Sequence, residues 1–181
     1  MRGLFLGGID GEKIVMNPAN QPLQLTDGRA CLLTPGKHSA LQIAIVEKFG
    51  PRFAAGATVL YLSDILARAT IYEKDRLGQL GIVTSALNEL SDIILYSEAK
   101  HRLYLIEVGI SHRAVTRRRR QALEQPMKEC SATRIYISAF LNHAEFGRYC
   151  HLIAWGSHVW LADIPEHMIH YDGEQYISPH G

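Results

Sequence analysis

Residues 91–108 read SDIILYSEAKHRLYLIEV, in which two apolar runs lie on either side of a polar segment, residues 97–102. The pattern predicts a β-hairpin whose strands are buried on both faces, because aliphatic and aromatic side chains occupy successive positions. A reversal centred on residues 99–100 places Asp92 directly opposite Glu107. The Cβ atoms of opposed residues on an antiparallel pair lie roughly 5 Å apart. The sequence therefore predicts two facing carboxylates at the open end of an apolar hairpin.

Two facing carboxylates repel each other and are costly to desolvate unless a proton or a cation lies between them. Oxygen ligands at this spacing suit Mg²⁺, which binds one or two carboxylates and keeps waters or phosphate oxygens elsewhere. Such a metal polarises a phosphodiester and lowers the pKa of bound water enough to make a nucleophile near neutral pH. The alternative is an acid at a solvated strand end or in a salt bridge to a nearby arginine. The pairing favours phosphodiester hydrolysis, with Asp92 and Glu107 as metal ligands.

Five arginines fall between Arg113 and Arg120, although the formal net charge of the chain is only +1. Arg113, Arg117 and Arg120 are spaced i, i+4, i+7 and form one ridge on a helix that begins soon after Glu107. Such a ridge binds a polyanion through phosphate contacts, which give affinity and register without sequence information. The alternative is a solvated, charged helix face. Because the run directly follows the carboxylate hairpin, we expect it, with Arg118, to contact DNA.

Four other polar residues are weaker candidates. Glu47 lies on a predicted helix as a candidate accessory acid, with a solvated helix glutamate as the alternative. Asp64 ends a predicted buried strand, where it either binds a ligand or caps a loop. Lys37 and His38 follow turn residues at the start of the helix that carries Glu47, and both are predicted to contact DNA. His38 either contacts a phosphate or caps the helix.

Histidine and tryptophan pairs near the C-terminal end carry structural interpretations. His167 and His170 resemble a metal-binding pair, but an odd spacing on a strand points them to opposite faces. We therefore expect them to be core or hairpin residues. Trp155 and Trp160 lie in apolar surroundings and are predicted to anchor the core.

The composition is that of an ordinary globular domain, with 181 residues, 47% of them hydrophobic and 20% charged. The sequence contains no apolar run of bilayer-spanning length, and residues 1–9 make an unconvincing signal peptide, so we expect a cytoplasmic protein. The three cysteines form no CxxC pair. This argues against a disulfide framework and a zinc knuckle.

Short buried strands alternate with helices along the chain, which predicts an α/β or α+β fold with a mixed central sheet flanked by helices. The predicted strands are residues 58–64, 91–96, 103–108, 134–140 and 158–162. The predicted helices are residues 38–49, 76–80, 116–128 and 144–154.

Turn residues set the expected boundaries. Gly50-Pro51 is predicted to end the first helix, and Pro126 is predicted to kink or fray the last turn of the third. Asp172-Gly173 predicts a hairpin between residues 168–171 and 175–177. Residues 1–25 are expected to be irregular or to form a short hairpin, and residues 26–181 to form a single domain.

Motifs along residues 26–179 occur in the order found in one nuclease family. They are TPGKH at 34–38, FGPRF at 49–53, VLYLSD at 59–64, SDIILY at 91–96, LIEV at 105–108 with SH at 111–112, AF at 139–140, IAW at 153–155 with VW at 159–160, and MIHYDG at 168–173. Together they resemble the BsuBI/PstI family of type II restriction endonucleases.

The resemblance implies the fold of PD-(D/E)xK nucleases, also called restriction-endonuclease-like. By this resemblance Asp92 and Glu107 bind Mg²⁺, and the backbone carbonyl of Val108 is the third protein ligand. The implied activity is site-specific hydrolysis of double-stranded DNA at a short palindromic site. The chain departs from the motif at two positions. Ser91 stands where the motif has proline, and Gly109 stands where it has lysine.

The missing lysine leaves open which group orients the attacking water or stabilises the transition state. His112 and Arg113 are the nearest candidates, with His112 as the catalytic one. The family also carries an N-terminal region similar to a helix-turn-helix module, which we expect this chain to lack.

The leading hypothesis is a Mg²⁺-dependent type II restriction endonuclease. It acts as a homodimer, because two active sites are needed to cut both strands of a symmetric target. A DNA methyltransferase is expected as its genetic, rather than physical, partner. Two alternatives stay open: a nuclease-derived DNA-binding protein that no longer cuts, and a repair or phage-related nuclease that prefers a DNA structure.

Overall fold

The computed structural model describes residues 20–63, 69–85, 90–110 and 114–172. Its strands are β1 (Gln21–Gln24), β2 (Ala30–Leu33), β3 (Thr58–Ser63), β4 (Ala69–Tyr72), β5 (Ile93–Ser97), β6 (Arg102–Val108), β7 (Thr133–Phe140), β8 (Ser157–Leu161) and β9 (Met168–Tyr171). Its α-helices are α1 (Lys37–Ala44), α2 (Gly50–Phe53), α3 (Lys74–Gln79), α4 (Arg117–Glu124) and α5 (His143–Gly147). None of the helices in these ranges has the length and apolar content needed to cross a membrane.

Seven strands form one mixed sheet in the order β4-β3-β5-β6-β7-β8-β9, and β1 and β2 form a separate hairpin. The pairs β6–β7 and β7–β8 are parallel, and the other pairs of the large sheet are antiparallel. Helices cover both faces of this sheet. The predicted mixed sheet with flanking helices is therefore confirmed.

The central hairpin of the sheet has the predicted register. Ile93 pairs with Ile106 and Ser97 pairs with Arg102, so the reversal falls at residues 99–100. His101 closes the turn with a φ of 47°, a left-handed conformation that histidine adopts more readily than most residues. Continued by one residue, the same register places Asp92 opposite Glu107.

Side chains of the hairpin alternate between two apolar clusters, one on each face of the sheet. Ile106 packs in the cluster that contains Ile45 and other residues of the helix at 37–53. Leu105 packs in the cluster that contains Leu77 of α3 and Leu123 of α4. Burial on both faces explains why both strands are apolar at nearly every position. Asp92, immediately before β5, and Glu107, within β6, are therefore held by a rigid scaffold.

The predicted end of the first helix at Gly50-Pro51 is wrong. The chain stays helical from Lys37 to Phe53. Residues 45–49 form a π-turn that joins α1 to α2, in which the Gly50 N–H donates to the Ile45 carbonyl. Pro51 lies in the first turn of α2, directly after the π-turn.

Other boundaries also differ from the predictions. Within the segment expected to be irregular or to form a short hairpin, residues 21–24 form strand β1, which pairs with β2, and Leu23 is buried in the core. The helix expected at 144–154 is only α5, followed by a 3₁₀ turn at Cys150–Leu152. The helix expected at 116–128 is α4 followed by a 3₁₀ turn that contains Pro126.

The C-terminal hairpin expected around Asp172-Gly173 is described in part. Strand β9 pairs with β8, while residues 173–181 lie outside the described part of the chain.

The two tryptophans have different environments. Trp160 is fully buried, packs edge-on against Phe49 with ring centroids 5.8 Å apart, and donates through Nε1 to the Pro165 carbonyl. Trp155 is 71% exposed, so its predicted role as a core anchor is wrong. It lies just before the turn at Gly156, outside the alternating pattern that buries Trp160.

Candidate active site

Asp92 lies immediately before β5 and is fixed by both neighbouring strands. Its Oδ2 accepts a hydrogen bond from the Val108 backbone N–H at 2.9 Å. The Ser63 hydroxyl lies 3.4 Å from Oδ1, and the Ser63 N–H donates to the Asp92 carbonyl at 2.9 Å. The carboxylate is buried. These contacts orient Asp92 toward the end of β6, where Glu107 lies.

Glu107 is the last but one residue of β6, and it is 1% exposed. Its side chain leaves the face of the sheet that α4 covers. Its Oε1 accepts hydrogen bonds from Nε and Nη2 of Arg119 at 3.1 and 2.9 Å. Burying a carboxylate without a hydrogen-bonded cation costs several kcal/mol. Arg119 therefore makes the burial of Glu107 possible.

Arg119 is the site residue that sequence reasoning missed. It lies outside the ridge predicted from i, i+4, i+7 spacing, and its Nη2 also donates to the Leu90 carbonyl at 2.7 Å. Thr116 caps the helix and its hydroxyl accepts from the Arg119 N–H at 3.1 Å, which sets the start of α4. A buried carboxylate predicts a cationic partner, but the sequence does not identify which arginine forms the ion pair.

The main-chain atoms of Val108 serve both the sheet and the site. The N–H donates to Asp92, and the carbonyl accepts from the Ile110 N–H at 2.7 Å. A carbonyl oxygen has two lone pairs, so the Val108 carbonyl can still bind a metal.

Gly109, at the position of the motif lysine, has no room for a side chain. A Cβ built there lies 2.4 Å from Cε1 of Phe140 and 2.7 Å from the Ala139 carbonyl oxygen. The Gly109 N–H also donates to that carbonyl at 2.7 Å. The ring of Phe140 is fully buried and part of the core. The motif lysine is therefore excluded here by packing.

We expect Gly109→Ala to destabilise the protein by about 1–3 kcal/mol, the cost of overpacking a well-filled core. Chemical denaturation measures this loss. Gly147→Ala is the control, because a Cβ at Gly147 meets nothing within 4 Å. Equal stability of the two variants would show that the Phe140 ring can move aside without a loss of stability.

The predicted DNA-binding arginines of α4 fall into two groups. Arg117 and Arg118 are exposed in the first turn of the helix. Arg120 is engaged in the fold, because its Nη1 donates to the Trp155 carbonyl at 2.5 Å and its guanidinium lies 5.1 Å from the centre of the Tyr136 ring. Because α4 begins at Arg117, it carries only Arg117 and Arg120 of the predicted ridge, and Arg113 lies outside the described residues.

The remaining candidates are dispersed. Lys37 is exposed at the start of α1, whereas His38 is buried. Glu47 is exposed on the π-turn. The helix at 37–53 covers the sheet face opposite to the one that Glu107 leaves. Asp64, His112 and Arg113 lie outside the described residues.

The chemistry of the paired acids fits a hard divalent cation. The oxygen donors are the carboxylates of Asp92 and Glu107 and the carbonyl of Val108. All three lie at the open end of the hairpin, where β5 begins and β6 ends. All are oxygens, as Mg²⁺ prefers. The residues present therefore fit the group that this kind of fold implies.

A mixed sheet flanked by helices, with two buried carboxylates at adjacent strand ends, defines the restriction-endonuclease class of fold. The solved structure of the SdaI restriction endonuclease is similar, with a TM-score of 0.82 and 29% identity over 90% of this chain and 51% of that one. Residues 21–174 match the family described as BsuBI/PstI restriction endonuclease domain. The chain belongs to this family, and the resemblance seen in its motifs is confirmed.

Two curated relatives agree. The type II restriction enzyme BsuBI of Bacillus subtilis is 34% identical over 159 residues, which are 88% of this chain and 50% of the relative. The type II restriction enzyme AplI of Arthrospira platensis (strain NIES-39 / UTEX 3086 / IAM M-135) is 26% identical over 152 residues, which are 80% of this chain and 47% of the relative. The chain spans about half the length of these relatives.

Proposed function

We propose that this chain is the catalytic part of a Mg²⁺-dependent type II restriction endonuclease, which hydrolyses phosphodiester bonds in double-stranded DNA at a short palindromic site. The observation that carries the proposal is the buried pair Asp92 and Glu107, set by the register of β5 and β6. Similarity to type II restriction enzymes supports it.

Asp92, Glu107 and the Val108 carbonyl would hold the Mg²⁺, which supplies Lewis-acid activation of a phosphate oxygen and of bound water when present. The Val108 N–H holds Asp92 in place. Arg119 holds Glu107 in place by donating two hydrogen bonds to its Oε1. Positioning of this kind lowers the barrier because the groups need no reorganisation during the reaction.

Another residue supplies the positive charge that the motif lysine would bring. This residue is Arg119 of α4, whose guanidinium forms an ion pair with Glu107. We propose that it is a positioning residue, and that His112, which follows Gly109 by three residues in the sequence, acts on the attacking water. Arg117 and Arg118 bind DNA phosphates. The four consecutive arginines that open α4 oppose the helix dipole, and a bound polyanion would offset that cost.

Removing an exposed phosphate contact is expected to weaken DNA binding at every sequence alike. Arg117→Ala and Arg118→Ala should each reduce the slope of log affinity against log salt by about 1. Arg120→Ala is the matched control, since Arg120 is held by the Trp155 carbonyl. Titration of labelled DNA at several salt concentrations measures the slopes. Equal slopes for wild type and both variants would place the DNA on another surface.

Cutting both strands of a symmetric site requires two copies of the chain, so we propose a homodimer. Within each copy we propose a single domain that runs from residue 26 to 181 and also includes β1. A methyltransferase encoded nearby would protect the same site.

The direct test incubates the purified protein and Mg²⁺ with unmethylated phage DNA. A parallel sample contains the same phage DNA grown in cells that carry the methyltransferase. Discrete fragments from the unmethylated DNA alone are expected. Random degradation would contradict site specificity and favour a structure-preferring nuclease.

A second candidate function, a DNA-binding protein that no longer cuts, is favoured by one observation. Phe140 fills the space at Gly109, so the motif lysine is absent and cannot be accommodated there. Specific DNA binding without cleavage in Mg²⁺ or Mn²⁺ would establish it. Cleavage in either metal would exclude it.

A further inference from the structure

Three side chains that commonly bind metals meet on the hairpin of β8 and β9, at the edge of the sheet. His158 pairs directly with His170, and their Nδ1 atoms lie 2.9 Å apart. Asp172 follows His170 by two residues, so both side chains leave the same face of the strand. One ligand atom from each of the three residues lies within 4.8 Å of the other two.

This cluster is distinct from the carboxylate pair. His158 pairs with Ile137, whose side chain packs in the apolar core under the helix at 37–53, so His158 lies on that face of the sheet. The Glu107 side chain leaves the opposite face, toward α4. Strands β6 and β8 are separated by two strand spacings, roughly 10 Å. The donors also differ, because imidazole nitrogens suit zinc and other transition metals, whereas Mg²⁺ prefers oxygen.

The geometry needs little adjustment to accept an ion. Tetrahedral zinc with Zn–N bonds of about 2.0–2.1 Å places two ligand nitrogens roughly 3.3 Å apart, so the rings need to separate by only about 0.4 Å. Partial burial, together with the neighbouring His170, lowers the pKa of His158. The neutral form of an imidazole is the one that binds metals.

We infer that His158, His170 and Asp172 bind one divalent transition-metal ion of the zinc type. With three protein ligands, a fourth position is open to water. In the order of the sheet β9 is the edge strand, and it pairs with β8. A metal bound across these two strands fixes β9 in its register, independently of catalysis.

The test uses the full chain without an affinity tag and titrates Zn²⁺ in competition with a chromophoric chelator. We expect one zinc ion per chain. His170→Gln and Asp172→Asn should each weaken binding by at least about tenfold, since even outer-shell partners contribute that much. His167→Gln is the matched control, an exposed histidine close to β9 that lies outside the cluster. Unchanged zinc affinity in His170→Gln, or absence of zinc binding by the wild type, overturns the inference.

A second readout separates this site from the carboxylate pair. Zn²⁺ should raise the melting temperature of the wild type and of His167→Gln, but not that of His170→Gln. Excess Mg²⁺ should leave the bound zinc in place. Loss of the zinc on Asp92→Asn, with retention on His170→Gln, would place the ion at the carboxylates and overturn the inference.

Discussion

Asp92→Asn is expected to lower the rate of DNA cleavage by on the order of 10³-fold. Loss of one charged metal ligand removes several kcal/mol of transition-state stabilisation, and about 4 kcal/mol corresponds to that factor. The amide oxygen of asparagine can still accept the hydrogen bond from the Val108 N–H, so we expect the fold to be retained. Conversion of supercoiled plasmid in Mg²⁺ measures the rate, and denaturation confirms the fold.

The control is Glu98→Gln, an acid in the turn of the same hairpin that is exposed to solvent. It should cut at the wild-type rate. Glu107→Gln should lose activity as Asp92→Asn does, and neither variant should lose its affinity for DNA by a comparable factor. Activity of Asp92→Asn within about tenfold of the wild type would remove Asp92 from the metal site.

Arg119→Ala is expected to reduce the free energy of unfolding by about 3–5 kcal/mol, the cost of breaking a buried ion pair from one side. The Arg119 side chain is 24% exposed and that of Glu107 only 1% exposed, so the carboxylate cannot replace its partner with bulk water. The variant also loses the hydrogen bond to the Leu90 carbonyl, which ties α4 to the segment before β5. Chemical denaturation measures the change.

Two further variants separate the ion pair from general damage to α4. Arg118→Ala removes an exposed arginine of the same turn and should change stability by less than about 0.5 kcal/mol. The double variant Arg119→Met with Glu107→Leu should recover most of the stability, because replacing both partners of a buried pair by apolar residues is often neutral or stabilising. A loss below about 1 kcal/mol for Arg119→Ala would mean that the pair behaves like an exposed salt bridge.

The amino-acid sequence alone predicts the central hairpin and its register. Apolar residues at nearly every position of 93–96 and 103–106 predict burial on both faces, and the polar turn leaves one reversal that matches them. The position of Asp92 opposite Glu107 follows from that register. The mixed α/β architecture follows in the same way from the alternation of strand and helix patterns, because these patterns reflect contacts that each element makes along its own length.

Contacts between elements distant in sequence could not be predicted. The arginine that meets Glu107 depends on how α4 is rotated against the sheet, and spacing along the helix selected Arg117 and Arg120 instead of Arg119. The continuation of the first helix through Pro51 depends on a π-turn that periodicity does not show. Trp155 and Trp160 have similar neighbours in sequence, yet only Trp160 faces the core.

By itself, the sequence determined that this protein has a buried carboxylate pair on a β-hairpin of a nuclease-like sheet, because strand periodicity and turn position are local properties. Only the tertiary structure decided which cation holds Glu107, why Gly109 has no side chain, and that His158 meets His170. Each of these depends on the packing of side chains from separate elements, where differences of an ångström determine which groups touch.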